Sequence, residues 1–79
     1  MTTQHSITIY STPSCPYCVM AKDFFDQKGI TYTYVDVSSN IKAAQEMVRK
    51  SGQMGVPVID IDGKIIVGFQ PEVFTQLIK

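Results

Sequence analysis

The 79-residue sequence lacks an excess of charge of either sign: seven basic residues balance seven acidic ones, and neither sign clusters. Without a basic stripe, we do not expect binding to nucleic acid or to an anionic membrane surface. Long apolar runs are also missing, since the run Ile65–Val67 ends at Gly68 and is far too short to cross a bilayer. The polar first six residues do not have the pattern of a secretory signal, so we expect a cytoplasmic protein.

Cysteine and histidine are scarce as well. The chain has two cysteines, Cys15 and Cys18, and one histidine, His5, whereas a structural zinc site needs four ligands. A structural disulfide between residues three apart closes too small a loop to stabilise a fold much, and in the cytosol disulfides are usually transient or catalytic. With 79 residues, of which 44% are hydrophobic, we expect a single domain over residues 1–79 and a monomer.

Hydrophobic periodicity and turn residues predict seven elements in the order β-α-β-α-β-β-α. Pro16 suits the first position of a helix that Gly29 ends, and Asp62–Gly63 is a strong two-residue hairpin signal. The predicted elements are strands Ile7–Tyr10, Thr31–Val37, Val56–Ile61 and Lys64–Val67, helices Pro16–Lys28 and Ile41–Lys50, and a terminal helix that begins at Pro71.

These elements predict an α/β fold. The helical crossover between the first two strands makes them parallel, whereas the terminal hairpin is antiparallel, so a mixed four-stranded sheet flanked by three helices follows. Spacings of three and four residues predict the buried faces of the first two helices. Those faces are Cys18, Ala21, Phe24 and Phe25 in the first helix, and Ile41, Ala44, Met47 and Val48 in the second.

The sequence Cys15-Pro16-Tyr17-Cys18 lies where a strand and loop lead into the first helix. With Pro16 in the first helical position, Cys15 is the N-cap, and its sulfur can accept hydrogen bonds from the N–H groups of Tyr17 and Cys18. Those bonds and the helix dipole favour the thiolate, so we expect the pKa of Cys15 to lie below its ordinary value. Cys15 is then the nucleophile, Cys18 is the resolving thiol, and the two form a redox-active disulfide.

The chain resembles the glutaredoxin family, within the thioredoxin fold, over essentially its whole length. The resemblance rests on the Cys15–Cys18 motif, on Gly55-Val56-Pro57 before the third strand, and on Gly68 after the hairpin. It implies a dithiol thiol–disulfide oxidoreductase that reduces protein or glutathione mixed disulfides, with no bound cofactor and no metal. It also implies a cis Val56–Pro57 bond and a Val56 backbone that pairs with the substrate as a short added strand. From the residues alone, Pro57 fits equally well as a trans proline that opens a strand.

The sequence departs from glutathione-dependent members on both sides of the site. Ser11-Thr12-Pro13-Ser14 stands where such members carry a lysine, and Phe69-Gln70-Pro71-Glu72 stands where they carry an aspartate pair. The second stretch is similar to the redoxins that donate electrons to ribonucleotide reductase and are themselves reduced by thioredoxin reductase. Glutathione as a co-substrate and thioredoxin reductase therefore both stay open as electron sources. The expected partners are disulfide-containing proteins, with ribonucleotide reductase as one candidate.

Several residues near the motif have both a functional and a structural interpretation. Tyr17 stacks on the substrate or is simply an exposed aromatic at a helix start. Phe69 docks a protein partner or caps the core, and Asp36 acts on a buried thiol or caps a loop. The weak surface charge favours partner recognition by shape and apolar contact near Val56 and Phe69. The predicted substrate-binding residues are Tyr17, Val56, Pro57, Gly68 and Phe69.

A function of a different class is an iron–sulfur cluster-binding or carrier module. Two chains would share the cluster through Cys15 and external thiols. Relatives that do this usually have a Gly-rich motif with a single cysteine, whereas this chain has Pro16-Tyr17-Cys18. The oxidoreductase is therefore the favoured prediction.

Overall fold

A computed structural model describes residues 6–53 and 55–78. Over these residues the chain forms four strands and three helices in the predicted order. His5 and the rest of the N-terminal segment before Ser6 lie outside the described residues. The elements are β1 (Ile7–Ser11), α1 (Pro16–Gln27), β2 (Thr33–Asp36), α2 (Ile41–Ser51), β3 (Val58–Ile61), β4 (Lys64–Val67) and α3 (Pro71–Leu77).

The sheet has the order β2-β1-β3-β4. Strand β1 pairs in parallel with β2 and antiparallel with β3, and β3 pairs antiparallel with β4, which confirms the predicted mixed sheet. Asp62 and Gly63 join β3 to β4 with φ angles of 53° and 91°, and positive φ at both central residues is what a type I′ hairpin turn requires. The hairpin prediction is therefore confirmed.

Side-chain alternation along β1 divides the core into two parts. Ile7 and Ile9 face α1 and α3, where the rings of Phe25 and Phe74 pack with centroids 5.2 Å apart. Tyr10 faces the opposite side, where it packs with Met47 of α2 and with Val58. We refer to these two sides of the sheet as the α1 face and the α2 face.

Lys50, near the end of α2, connects this helix to the sheet. Its ammonium group donates hydrogen bonds to the Asp60 carboxylate at 2.9 Å and to the Tyr10 hydroxyl at 3.0 Å, and it lies 3.1 Å from Glu46. The bond to Asp60 and then the bond to Tyr10 raise the pKa of Lys50 above its ordinary value. These contacts hold α2 against β1 and β3.

Two of the predicted strands are longer than the observed ones. Strand β2 covers Thr33–Asp36 rather than Thr31–Val37, because its parallel pairing with β1 begins at Thr8 and ends at Ser11. Strand β3 begins at Val58 rather than Val56, since Pro57 has no N–H to donate to the ladder. The Val56–Pro57 bond is cis, as the resemblance implied.

The predicted buried face of α2 is wrong at its first position. Ile41 is 77% exposed, whereas Met47 is buried and Ala44 and Val48 are partly buried. At 3.6 residues per turn, Ile41 lies about 120° around the helix from Met47, and it therefore points away from the sheet. Ala43, four residues before Met47, packs against the core on that face instead.

Candidate active site

The loop after β1 makes Cys15 the N-cap of α1. Cys15 has extended backbone angles, and Pro16 follows it in the first turn of the helix, where the missing proline N–H costs nothing. The Cys15 sulfur accepts a hydrogen bond from the N–H of Cys18 at 3.1 Å, and the Cys15 N–H donates to the Thr12 carbonyl at 3.3 Å. The predicted hydrogen bond from the Tyr17 N–H to the same sulfur is not formed. The donor is Cys18, the third residue after the cap, which is the usual N-cap geometry.

Cys15 and Cys18 are joined by a disulfide whose Cα atoms are 5.2 Å apart. The two residues differ in accessibility: Cys15 is 9% exposed, whereas Cys18 is fully buried on the inner face of α1 with Ala21 and Phe25. Of the two cysteines, the one at the helix start is therefore the more accessible. This asymmetry is what a pair with one attacking and one resolving thiol needs.

The strand register brings three loops to the same edge of the sheet. Tyr10 lies opposite Val58, and Val58 lies opposite Val67, so the chain leaves β1, enters β3 and leaves β4 at one level. The Gly68 N–H donates to the Pro57 carbonyl at 2.8 Å and extends the pairing by one step beyond the strands. Gly68 has a φ of 87°, which favours glycine at this position. The cysteine loop, the Val56–Pro57 segment and the Gly68–Phe69 segment therefore share one end of the molecule.

The residues predicted to bind substrate differ in their accessibility. Tyr17 is 60% exposed, whereas Pro57 is buried and Val56 is partly buried. Within the described residues, neither the N–H nor the C=O of Val56 has a hydrogen-bond partner. The Val56 backbone is therefore unpaired within the described part of the chain.

Phe69 packs against the core of the α1 face. Its ring makes edge-to-face contacts with the rings of Phe24 and Phe74, with centroid–centroid distances of 6.4 Å and 5.9 Å. The adjacent Gln70 is exposed and donates from Nε2 to the Val67 carbonyl at 2.7 Å. These contacts confirm that Phe69 caps the core, and its role in binding a partner stays a prediction.

Asp36 also lies at this edge of the sheet, because it pairs with Ser11 at the end of β2. Its carboxylate accepts hydrogen bonds from the hydroxyl and the N–H of Ser38, and these bonds hold the pKa of Asp36 below its ordinary value. The interpretation of Asp36 as a loop cap is therefore confirmed. The three segments that meet at this end of the sheet, residues 12–21, 55–59 and 65–71, contain no charged residue.

Ser11 is the residue near the site that the sequence interpretation missed. The predicted strand ends at Tyr10, but Ser11 is the last residue of β1 and is only 1% exposed. The signal that could have identified it is the two-residue alternation with Ile7 and Ile9, which places it on the α1 face.

The described part of the chain has neither a metal-binding cluster nor a helix that could span a membrane. Among residues 6–53 and 55–78, no group of three or more His, Cys, Asp or Glu side chains is arranged to hold a metal ion. In the same part of the chain, no helix is both long enough and apolar enough to span a bilayer. Both cysteines, Cys15 and Cys18, are used in the disulfide that joins them.

Comparison with known proteins agrees with the site. The family model named Glutaredoxin matches residues 7–66. The chain is 47% identical over 73 residues to an uncharacterized glutaredoxin-like 8.6 kDa protein in the rubredoxin operon of Clostridium pasteurianum, covering 92% of this chain and 97% of that protein. It is 35% identical over 63 residues to glutaredoxin 3 of Escherichia coli strain K12, covering 80% and 76%.

The structural comparison extends this similarity. The glutaredoxin-like protein NrdH-redoxin of Escherichia coli superposes with a TM-score of 0.83 at 26% identity, covering 94% of this chain and 96% of that one. This agreement confirms the thioredoxin-like fold, with the Cys15–Cys18 pair at the start of its first helix. The matched segment, residues 7–66, includes both cysteines and the Val56–Pro57 segment. The chain therefore belongs to the glutaredoxin family and is a thiol–disulfide oxidoreductase.

Proposed function

We propose that Cys15 is the attacking thiolate and Cys18 the resolving thiol in the reduction of protein disulfides. The observation that carries this proposal is the difference in accessibility between the two cysteines. Cys15, whose sulfur caps α1, keeps 9% of its surface exposed, whereas Cys18 is fully buried. An attacking thiol must reach its substrate, whereas a resolving thiol needs to reach only the first sulfur.

The reaction transfers two electrons in two exchange steps. The Cys15 thiolate attacks one sulfur of the substrate disulfide, that S–S bond breaks, and the other substrate sulfur leaves as a thiolate. Cys18 then gives up its proton and attacks the Cys15 sulfur, which releases the second substrate thiolate. The substrate is reduced to a dithiol, and the enzyme is left with the Cys15–Cys18 disulfide.

The helix start supports the choice of Cys15 as the thiolate. A negative charge on its sulfur would keep the hydrogen bond from the Cys18 N–H, now assisted by charge, and would lie at the positive end of the α1 dipole. Both effects stabilise the thiolate relative to the thiol, so we expect the pKa of Cys15 to lie below its ordinary value.

The Val56 backbone supports binding of an extended substrate. Its N–H and C=O have no partner among the described residues, and they lie at the end of the sheet that carries the cysteines. A substrate strand that pairs with both groups would place its disulfide next to Cys15. The uncharged loops around the cysteines favour a partner that presents apolar or neutral residues beside its disulfide.

The same surface favours a reductase, rather than glutathione, as the source of electrons. Glutathione carries two carboxylates and an ammonium group, and the loops that surround Cys15 offer no charged side chain to bind them. NrdH-redoxin, a similar structure, is itself described as having a thioredoxin-like activity profile. We therefore propose that thioredoxin reductase reduces this protein, and that ribonucleotide reductase is a candidate target.

A comparison of two NADPH-coupled assays tests the electron source. Oxidised protein is supplied either with thioredoxin reductase or with glutathione and glutathione reductase, and the rate of NADPH consumption is measured with a protein disulfide as the final acceptor. We expect turnover with thioredoxin reductase to be at least about tenfold faster than turnover with glutathione. The reason is that the uncharged loops around Cys15 cannot form charge-assisted hydrogen bonds with the charged groups of glutathione. Glutaredoxin 3 of Escherichia coli is the control for the glutathione assay. Equal or faster turnover with glutathione would contradict the proposed donor while leaving the two-cysteine mechanism intact.

A further inference from the structure

Ile41 is the most exposed large apolar side chain among the described residues. It keeps 77% of its surface exposed, compared with 60% for Tyr17, and it belongs to neither of the two core clusters. The start of α2 does not depend on it, since Asn40 caps the helix by accepting a hydrogen bond from the Ala43 N–H at 3.1 Å. Isoleucine is also a weaker helix former than alanine or lysine. The fold itself therefore makes little use of the Ile41 side chain.

Ile41 begins an apolar stripe along one side of α2. At about 100° per residue, Ile41, Ala44 and Val48 lie within about 60° of one another around the helix axis. Ala44 and Val48 are half-buried, and Val48 packs against the core of the α2 face. The charged side chains of α2 lie at least about 80° away from Ile41 around the same axis. They are Lys42, Glu46, Arg49 and Lys50.

The direction of α2 places Ile41 at the end of the molecule that carries the cysteines. Strand β2 ends level with β1, beside the cysteine loop, and α2 begins five residues after the end of β2. In the last turn of the helix, Lys50 reaches Asp60, which pairs with Thr8 near the other end of the sheet. The helix therefore runs away from the site, and its first residue is the one nearest to the site.

The start of α2 is linked to the Val56 segment through the core of the α2 face. Ala43, in the same first turn as Ile41, and Val56 both pack against the buried cluster that contains Val58. The N–H and C=O of Val56 have no partner within the described residues. Ile41 therefore adjoins the part of the surface on which the proposed substrate strand lies.

We infer that Ile41 is a docking residue for the protein that carries the substrate disulfide. An apolar side chain of that protein, a few residues from its disulfide cysteine, packs on Ile41 and Ala44 while the cysteine reaches Cys15. This inference rests on the proposed function, in which Val56 pairs with an extended substrate segment. Continuity with that segment selects the occupant, because a chain bound at Cys15 and Val56 is the one that extends to the start of α2.

The contact favours proteins over glutathione. Glutathione has two carboxylates and an ammonium group, but it has no apolar side chain that would gain from leaving water on Ile41. The contact adds no covalent step. Ile41 therefore affects the binding of the substrate and not the thiol chemistry.

A matched pair of substitutions tests the apolar contact. Ile41→Leu keeps an apolar side chain, whereas Ile41→Gln introduces a polar one of similar length, and both new residues are good helix formers. Each protein is reduced beforehand, so that no electron donor is needed, and is mixed with insulin or with the small aromatic disulfide dithionitrobenzoate. The reaction is stopped with acid at successive times, and mass spectrometry of the oxidised enzyme gives the second-order rate constant. Arg49→Gln, in the last turn of α2, is the control for a general effect of the helix.

We expect the rate constant with insulin to be about four- to tenfold lower in Ile41→Gln than in the wild type, which corresponds to about half of the transfer free energy of an isoleucine side chain. Ile41→Leu and Arg49→Gln should react with insulin like the wild type. Dithionitrobenzoate presents no peptide segment to α2, so its rate constant should not change in any variant. Because Ile41 is exposed, the midpoint of thermal unfolding should also stay the same.

The outcomes separate this inference from the proposed function. Equal rate constants of Ile41→Gln and Ile41→Leu with insulin would overturn the docking role and leave the two-cysteine mechanism intact. A fall with both disulfides would also overturn it, since Ile41 would then act on Cys15 and not on binding. A wild-type dimer in sedimentation analysis that Ile41→Gln dissociates would assign this surface to a second copy of the chain and overturn the proposed occupant. A wild-type protein that reacts with dithionitrobenzoate but not with insulin would refute the proposed function itself, and this inference with it.

Discussion

Replacing Cys15 with serine is expected to reduce turnover of a protein disulfide by about a thousandfold or more. A serine hydroxyl at this helix start has the same backbone and the same cap geometry, but it is not ionised at neutral pH and cannot form a disulfide with the substrate. The Cys18 thiol, which is fully buried, cannot take over the first attack. The measurement is the initial rate of NADPH consumption with thioredoxin reductase and an oxidised protein acceptor.

The neighbouring residue Ser14 provides a matched control. It is exposed and adjacent to Cys15, so Ser14→Ala should retain the wild-type rate while changing the same loop. Circular dichroism spectra that match the wild type would show that Cys15→Ser is folded, as expected from the strong N-cap preference of serine. A folded Cys15→Ser protein with more than about a tenth of wild-type turnover would contradict the assignment of Cys15 as the nucleophile.

Replacing Cys18 with serine is expected to stop the reaction after its first step. Cys15 still attacks, one substrate thiolate is released, and the enzyme remains attached to the other half of the substrate. In the wild type, the fold holds the Cys18 thiol beside the mixed disulfide, where it acts at an effective concentration far above millimolar. Without that thiol and without added thiol, turnover should fall by about a hundredfold or more. The measurements are non-reducing electrophoresis for the adduct and the steady-state rate as a function of added dithiothreitol.

External thiol distinguishes the loss of the resolving group from general damage. Dithiothreitol should release the adduct of Cys18→Ser and restore turnover in proportion to its concentration, whereas it should not restore Cys15→Ser. The absence of an adduct, together with turnover that does not respond to thiol, would show that Cys18 is needed for folding or for the attack and not for resolution.

Much of this site could be predicted from local sequence patterns. The Cys15–Cys18 motif needs only a strand before it and a helix after it, and both are signalled within about ten residues by β-branched runs, Pro16 and Gly29. The prediction of two donors to the Cys15 sulfur was right for Cys18 and wrong for Tyr17. Two backbone N–H groups lie within reach of a cap residue, and only the folded turn decides which of them donates.

The features that were missed depend on contacts distant in sequence. Ser11 became part of β1 because of its pairing with Asp36, which lies 25 positions further along the chain. Ile41 has the hydrophobicity of a core residue, but the sheet covers only the side of α2 centred on Met47, and the position of the sheet cannot be read from the helix alone.

The most direct test of the central claim is to map alkylation of the reduced wild-type protein. Iodoacetamide is added at a series of pH values, the reaction is stopped, and peptide mass spectrometry measures the fraction modified at each cysteine. We expect Cys15 to be alkylated first, with a rate that reaches its plateau at a pH well below the ordinary thiol pKa of about 8.5, while Cys18 stays largely unmodified. Preferential alkylation of Cys18, or a Cys15 rate that rises only around the ordinary thiol pKa, would contradict it.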